Sequence, residues 1–186
     1  MSPRTDRGSV SVAQTERADR APSPYPDRMT DAVAVRPMTA DEYAVWIARE
    51  TEAYAADLAE AAGSTLDEAR HRAEAQLAAF LPDGRETAGT FLLRVLDGEG
   101  EPVGTLWLGP HPQRADAGWV YEVEIDEDRR GEGLGRAAML AAEQVGARAG
   151  WTALGLTVFG HNPRARALYD ALGYRVASTT MTKPIS

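Results

Sequence analysis

The segment from Arg130 to Gly135 joins a predicted strand to a predicted helix. It follows the strand-like run 120–125 and opens a helix-like run that extends from Leu134 to Arg148. Its three glycines lie within five positions, so the backbone can turn tightly and approach a ligand without interference from Cβ atoms. At the helix start, unpaired N–H groups and the positive end of the helix dipole point out of the turn. The segment therefore predicts a cradle for a phosphate or pyrophosphate.

Two common nucleotide-binding motifs do not fit this turn. The dinucleotide pattern G-x-G-x-x-G needs glycine at the position of Arg136, and the P-loop needs G-K-[ST] where the sequence has Gly135-Arg136-Ala137. The pattern R-x-x-G-x-G does fit, with Arg130, Gly133 and Gly135 in its fixed places. This pattern resembles the acetyl-CoA-binding motif of the GNAT superfamily of N-acetyltransferases. A glycine-rich turn without any ligand is the alternative.

A second block of sequence favours the same resemblance. The run from Asn162 to Tyr169 reads N-x-x-A-x-x-L-Y, and Gly173-Tyr174 follows it. Both blocks are similar to those of the GNAT family, in the same order and with one predicted helix and one predicted strand between them. The resemblance extends roughly from Pro102 to Ile185, and upstream of Pro102 it depends only on the order of the elements.

The sequence predicts elements in the order β-α-α-β-β-β-α-β-α-β. Capping boxes at Thr39 and Thr65 predict the starts of the first two helices. Alternating or continuous apolar runs between glycine and proline turns predict the strands. The predicted strands are 33–37, 90–96, 103–108, 119–125, 154–159 and one within 175–183, and the predicted helices are 40–62, 66–80, 134–148 and 163–172. The resemblance implies an α/β (α+β) GNAT fold whose mixed sheet is mostly antiparallel, with splayed central strands.

Composition excludes several functions. The 186 residues contain no cysteine, and the three histidines show no metal-ligand spacing, so we expect no disulfide and no metal site. The formal net charge of -8 argues against a nucleic-acid partner. The chain lacks an apolar run of about 20 residues, so we expect no membrane partner and a cytoplasmic location. The oligomeric state stays open between a monomer and a homodimer.

The N-terminal part of the chain differs from the rest in composition. Residues 1–28 are rich in Arg, Asp, Ser and Pro and have almost no large apolar side chains, which predicts a disordered extension. The sequence leaves open whether translation begins at Met1 or at Met29. Residues 29–186 are predicted to form one GNAT-like acetyltransferase domain.

The resemblance implies how acetyl-CoA is held. Main-chain N–H groups of the turn would bind the pyrophosphate, Arg130 and Arg136 would add positive charge, and Gly131, Gly133 and Gly135 would allow the close approach.

The resemblance also implies which residues contact the pantetheine arm of acetyl-CoA. The backbone from Val123 to Ile125 would pair with the pantetheine arm like an added strand, and one of its N–H groups would stabilise the oxyanion. Asn162 would contact the same arm. Independently of the family, Asn162 followed by Pro163 predicts a helix start.

Three side chains are candidates for the chemistry. The resemblance places Tyr169 where the family's tyrosine protonates the departing thiolate, and a phenol with a pKa near ~10 carries that proton at neutral pH. Glu122 and Glu124 are candidate general bases for the acceptor amine, with Glu122 preferred because it lies farther from the glycine turn. The alternatives are an aromatic side chain at the rim of the core and a solvated polar strand face. His161 is a further candidate base.

The assignment of the two glutamates depends on a strict alternation along their strand. The period of two predicts that Trp119, Tyr121, Val123 and Ile125 face one side of the sheet. It predicts that Val120, Glu122 and Glu124 face the other side.

The sequence thus predicts an enzyme that moves an acetyl group from acetyl-CoA to a primary amine of a small molecule or a peptide N-terminus. Attack would be direct, in a ternary complex, because there is no cysteine and no serine with a recognisable triad. The alternatives are another acyl-CoA donor and a non-catalytic acyl-CoA-binding sensor. Acceptor recognition is assigned to the first two helices and a 109–118 loop. Its candidate aromatic residues are Tyr43, Trp46, Tyr54 and Trp107, and packing in the core is the alternative explanation for them.

Overall fold

A computed structural model describes residues 33–158, 160, 162–181 and 183. The strands are β1 Val33–Pro37, β2 Phe91–Asp97, β3 Pro102–His111, β4 Arg114–Ile125 and β5 Ala153–Leu156. The helices are α1 Ala40–Ala62, α2 Leu66–Phe80, α3 Leu134–Arg148 and α4 Pro163–Ala171, with short 3-10 turns at Gly84–Glu86 and Glu127–Arg129. The predicted extension 1–28 lies outside the described residues.

The five strands form one mixed sheet in the order β1-β2-β3-β4-β5. The first four strands pair antiparallel, and β5 joins β4 parallel. The β4–β5 pairing covers only Ala117–Val120 and Ala153–Leu156, whereas β4 continues to Ile125. The last part of β4 therefore has no β5 partner, and the two strands diverge. The α/β fold class, with a mostly antiparallel sheet and splayed central strands, is confirmed.

Helices cover both faces of the sheet. On one face, α3 contributes Met139 and Val145 to a core that includes Leu106 and Leu108 of β3. On the other face, α1 and α2 contribute a second core that includes Trp107 of β3. Because successive side chains of a strand point to opposite faces, a central strand packed on both sides is buried along its middle, as β3 is from Val103 to Gly109.

Local capping fixes where the first two helices begin. The Thr39 side chain accepts a hydrogen bond from the Glu42 N–H, and the Glu42 carboxylate accepts one from the Thr39 N–H at 2.8 Å. Thr65 and Glu68 form the same reciprocal pair at the start of α2. Helix α1 ends at Gly63, whose φ of 60° lies in the left-handed region that favours glycine. The predicted starts of both helices are confirmed.

A β-bulge interrupts the pairing of β3 with β4. Trp107 pairs with Glu122 and Leu108 pairs with Val120, so that Tyr121 is an extra residue in β4. A bulge of this kind changes the phase of the alternation and increases the local twist. It lies where β4 stops pairing with β5.

The bulge corrects the predicted alternation. Val120 packs with Val123 and Ile125 in the core on the α3 side, and Tyr121 stacks on Trp107 on the opposite side, with ring centroids 4.7 Å apart. The prediction that Tyr121 shares a face with Val123, and that Val120 does not, is therefore wrong. Beyond the bulge the predicted alternation holds.

Other predicted boundaries also change. The 109–118 segment is mostly strand, because β3 reaches His111 and β4 begins at Arg114. Pro110 is tolerated there because β2 pairs with β3 only as far as Leu108, which leaves that edge of β3 without a partner strand. The structure has no strand within residues 175–181, so the final predicted strand is absent from the described residues.

Candidate functional site

The site lies where the end of β4, which pairs with β3 but not with β5, meets the first turn of α3. A Cβ atom placed on Gly135 would lie 3.9 Å from Ile125 Cγ1 and 3.6 Å from Leu168 Cδ2. The start of α3 therefore packs against the end of β4 and against α4. The structure brings together the glycine turn, the diverging strand and the helix that carries Tyr169.

The glycine turn leaves a row of amides open. Gly131 and Gly133 have φ values of 94° and 83°, and no atom lies within 4 Å of a Cβ placed on either residue. Gly133 is the N-cap of α3, and no side chain caps this helix start. Within the described part of the chain, the N–H groups from Gly131 to Arg136 have no protein hydrogen-bond acceptor. Unpaired amides at a helix N-terminus can bind an anion.

The acidic side chain of the turn, Glu132, forms an ion pair with a neighbouring arginine. Glu132 accepts hydrogen bonds from Arg129 at 3.1 to 3.3 Å. Arg129 also donates to Asp97 at 3.1 Å, and the Asp97 carboxylate accepts from the N–H groups of Glu99 and Glu101. This network ties the turn to the β2–β3 hairpin. Its consequence is that the Glu132 carboxylate is paired with a cation next to the open amides.

The two arginines of the turn have different surroundings. Arg130 Nε donates to the Ile125 carbonyl at 3.0 Å, and its Nη2 lies 3.9 Å from Glu124 Oε1. Its side chain is thus folded back along the end of β4. Arg136 is exposed in the first turn of α3. In this arrangement the amides, more than the Arg130 guanidinium, face the open space of the turn.

Glu122 lies in a nearly closed environment between β4 and α1. Its side chain is 13% exposed. Trp46 Nε1 donates to its Oε2 at 2.7 Å, and Thr105 Oγ1 donates to its Oε1 at 3.1 Å. Burial raises the pKa of Glu122 to about 7, and the nearby carboxylates of Glu50 and Glu124 add to the effect, whereas the two hydrogen bonds oppose it. A carboxyl group with such a pKa exchanges a proton near neutral pH.

Glu124 has a different role in the same cluster. Arg49 Nη2 lies 2.6 Å from Glu124 Oε2 and 3.5 Å from Glu122 Oε1, so the guanidinium pairs mainly with Glu124. The Glu124 side chain is 38% exposed. Burial also raises the pKa of Glu50, which lies in the same cluster. Of the two candidate bases, Glu122 is the one whose surroundings suit proton transfer.

Sequence reasoning missed several residues around Glu122. Arg49, Glu50 and Thr105 were not predicted, and Trp46 was predicted only as a candidate for acceptor recognition. A signal was available for the helix residues, because Trp46, Arg49 and Glu50 are spaced i, i+3 and i+4 and so lie on one helix face. Nothing in the sequence indicates which strand that face contacts.

Tyr169 and Asn162 lie on α4 as predicted. Tyr169 is half-buried against the core on the α3 side, and its ring centroid is 5.8 Å from that of Tyr174. Burial raises the pKa of Tyr169 above its ordinary value, so its phenol is protonated at neutral pH. Asn162 Oδ1 accepts a hydrogen bond from the Ala165 N–H at 3.0 Å and caps the helix. The candidate base His161 lies outside the described residues.

The predicted acceptor-binding aromatics divide into two groups. Trp46 and Trp107 are buried in the core between the sheet and the first two helices. The Tyr54 hydroxyl is hydrogen bonded to Gln76, and Tyr43 lines a groove of about 280 Å³ between α1 and α2.

Among the described residues, no group of three or more His, Asp or Glu side chains is arranged to hold a metal ion. No helix in the described ranges has the length and apolar character needed to cross a membrane.

Comparison with known proteins identifies the family. The model of the Acetyltransferase (GNAT) family matches residues 52–174, more than half of the chain. The chain is 27% identical over 154 residues to the uncharacterized N-acetyltransferase YycN of Bacillus subtilis (strain 168), covering 82% of this chain and 99% of that protein. The crystal structure of the putative acetyltransferase YycN from Bacillus subtilis superposes with a TM-score of 0.73 at 28% identity, over 83% of this chain and 99% of that one.

Two further proteins show the range of the similarity. A mycothiol acetyltransferase of Kytococcus sedentarius is 30% identical over 154 residues, which are 82% of this chain but only 49% of that protein. The structure of AAC(6')-Iy in complex with the bisubstrate analog CoA-S-monomethyl-acetylneamine shares the fold with a TM-score of 0.54 at 12% identity, over 83% of this chain and 98% of that one. The family match covers the glycine turn, the diverging strand and α4, and the chain belongs to the GNAT family of acetyltransferases.

Proposed function

We propose that this protein is an acetyl-CoA-dependent N-acetyltransferase that acetylates a primary amine of a small molecule or of a peptide N-terminus. The observation that carries the proposal is the row of amides from Gly131 to Arg136, which have no acceptor among the described residues and follow the part of β4 that pairs with β3 but not with β5. An anion and an extended chain can bind side by side there. The pyrophosphate and the pantetheine arm of coenzyme A have these two shapes.

The cofactor would be held chiefly by the backbone. The amides from Gly131 to Arg136, with Gly133 and Gly135 allowing close approach, would bind the pyrophosphate, and the exposed Arg136 would add positive charge. The backbone from Val123 to Ile125 would pair with the pantetheine arm. Asn162 would contact the arm from the start of α4 while still capping that helix.

The reaction would use two proton-transfer groups. A primary amine with a pKa near ~10.4 is mostly protonated at neutral pH and must lose a proton before it can attack. Glu122 would accept that proton directly or through a water molecule, because its pKa of about 7 lies near the working pH. The amine nitrogen would then form a bond to the acetyl carbon, and a main-chain N–H of β4 would stabilise the oxyanion. The C–S bond would break, Tyr169 would protonate the departing thiolate, and the second proton of the attacking nitrogen would pass through water to the Tyr169 phenolate, which leaves the neutral amide and the free thiol.

An acceptor screen tests the proposal. Purified protein is mixed with acetyl-CoA and a panel of small amines, aminoglycosides and peptides with free N-termini, and thiol release and the mass of each acceptor are followed. We expect at least one amine to gain the mass of an acetyl group with equimolar thiol release. Binding of acetyl-CoA without turnover across the panel would instead favour a sensor, and turnover only with another acyl-CoA would assign a different donor.

Replacement of Tyr169 by Phe tests the proton donor. We expect kcat to fall about 100-fold, at the low end of the range for general acid catalysis, because the thiolate then departs without a proton donor. The Kd for acetyl-CoA should change little, since the ring and its packing remain. Tyr174→Phe removes a neighbouring hydroxyl and serves as the control, with turnover expected within about twofold of the parent. Equal turnover of the Tyr169→Phe variant and the parent would remove Tyr169 from the chemistry.

A further inference from the structure

Two buried donors from different elements converge on the Glu122 carboxylate. Trp46 of α1 is 3% exposed and donates to Oε2, and Thr105 of β3 is 2% exposed and donates to Oε1. Each oxygen of the carboxylate thus receives a hydrogen bond from a side chain that is itself fixed by packing, and Oε1 also accepts a longer bond from Arg49 Nη2 at 3.5 Å. A carboxylate has about four acceptor sites, so Oε2 keeps capacity for an amine or a water molecule.

We propose that Trp46 and Thr105 are positioning residues that fix the orientation of the Glu122 carboxylate and favour its ionised form. The proposal depends on the assignment of Glu122 as the general base. It adds two residues that act on the reaction only through Glu122.

Thr105 indicates that the arrangement serves more than packing. Among the described residues, it is the polar side chain that reaches the burial level of the apolar core. Valine has nearly the same shape and would fill this position without bringing a hydroxyl group into the core. A buried hydroxyl is costly unless it is hydrogen bonded, and the bond that Thr105 makes is to Glu122.

The neighbouring Trp107 shows whether a buried indole N–H in this core needs a hydrogen-bond acceptor. Trp46 and Trp107 pack edge to face in one core, with ring centroids 5.5 Å apart, and both are buried. The indole N–H of Trp46 is directed at Glu122, whereas that of Trp107 has no hydrogen-bond partner in the described part of the chain. Apolar packing alone therefore tolerates a buried indole here without a partner. Packing of the ring therefore does not require the Trp46 N–H to have an acceptor, so its hydrogen bond to Glu122 is an additional interaction.

Burial and the neighbouring charges oppose the ionised form of Glu122, and the two donors act against them. Burial disfavours the ionised form most, and Glu50 from α1 and Glu124 from the same strand disfavour it further. Arg49 is the nearby cation, and it pairs mainly with Glu124. Trp46 and Thr105 are thus the groups that offset burial most directly. Hydrogen bonds to the charged form lower a pKa, so their removal should raise it.

The test measures the titration of Glu122 without requiring turnover. The full chain is labelled with [δ-13C]glutamate, and the Glu122 signal is identified by its loss in Glu122→Gln. We expect Trp46→Phe and Thr105→Val each to raise the pKa of Glu122 by about 1, which corresponds to about 1.36 kcal/mol. Thr105→Ser should restore the parent value because it keeps the hydroxyl. Trp107→Phe should leave that pKa unchanged, since its N–H has no partner.

Activity provides the second measurement. With an amine that the acceptor screen identifies, the acid limb of the kcat/KM profile, which reports the free enzyme, should move to higher pH in Trp46→Phe and Thr105→Val by the same amount as the titration. An unchanged Glu122 titration in Thr105→Val, with the fold retained by circular dichroism, overturns the positioning role. A shifted titration without a shifted rate profile keeps the effect on ionisation but removes Glu122, and with it these two residues, from catalysis. If Trp46→Phe does not fold, the Thr105 pair decides the outcome.

Discussion

Replacing Glu122 by Gln should abolish most of the turnover and at the same time stabilise the protein above neutral pH. Loss of a general base typically costs about 10²- to 10⁴-fold in rate, and we expect the same range here at pH 7. The amide is nearly isosteric with the carboxyl group, and its oxygen can still accept from Trp46. The Kd for acetyl-CoA should therefore stay close to that of the parent.

The stabilisation follows from the pKa of Glu122. Folding raises this pKa from an ordinary 4.5 to about 7, so the folded state holds the carboxyl proton more tightly than the unfolded state does. The contribution of the protonated Glu122 carboxyl to the free energy of unfolding is fully present below pH 4.5 and is lost as the pH rises through about 7. The loss amounts to about 3 kcal/mol at order-of-magnitude precision. Gln does not ionise, so urea unfolding of the variant should lack this decline between pH 5 and pH 8.

Glu124→Gln is the matched control for this experiment. It changes the same residue type two positions away on the same face, but Glu124 is more exposed and is paired with Arg49. We expect a change in turnover of less than about tenfold and no gain in stability at pH 8. If Glu124→Gln loses as much turnover as Glu122→Gln, or if Glu122→Gln stays active, the base has been assigned to the wrong carboxylate.

Replacing Gly133 by Ala should weaken acetyl-CoA binding by roughly 10- to 100-fold. The added Cβ would project into the open space of the turn, and an L-residue at a φ of 83° is strained by about 1–2 kcal/mol. Loss of a hydrogen bond between an amide and a charged phosphate costs about 1.5–3 kcal/mol, which gives the expected range. Isothermal titration calorimetry with acetyl-CoA measures the effect.

Gly150→Ala separates strain from ligand contact. Gly150 has a φ of 85°, also has open space around a Cβ atom, and lies just beyond the other end of α3. Both variants should lose similar stability in urea unfolding. Only Gly133→Ala should weaken acetyl-CoA binding, and equal affinities in the two variants would contradict a phosphate cradle at this turn.

Features set by neighbouring residues were predictable from the sequence. The capping boxes at Thr39 and Thr65 are local, so the predicted starts of α1 and α2 match the structure. The glycine turn is also local, and its positive φ values follow from residues within the turn itself.

Features set by distant contacts were not predictable. The bulge at Tyr121 depends on how β4 pairs with β3, and a period of two contains no information about an extra residue. Likewise, the partner of Glu122 on α1 is 76 residues away in the chain. The polar strand face was visible in the sequence, but its enclosure by α1, which makes Glu122 different from Glu124, was not. The roles of these residues in catalysis stay predictions.

The bulge divides β4 into two stretches with separate consequences for evolutionary change. From Gly118 to Val120, β4 pairs with β3 on one edge and with β5 on the other, so a substitution there alters how the sheet is assembled. After Tyr121, one edge is released from the sheet while the other stays anchored to β3. Side-chain substitutions in that second stretch leave the β4–β5 register intact, because residues 122–125 pair only with β3. The limit on change there is therefore set by the chemistry proposed for Glu122, and not by the assembly of the sheet.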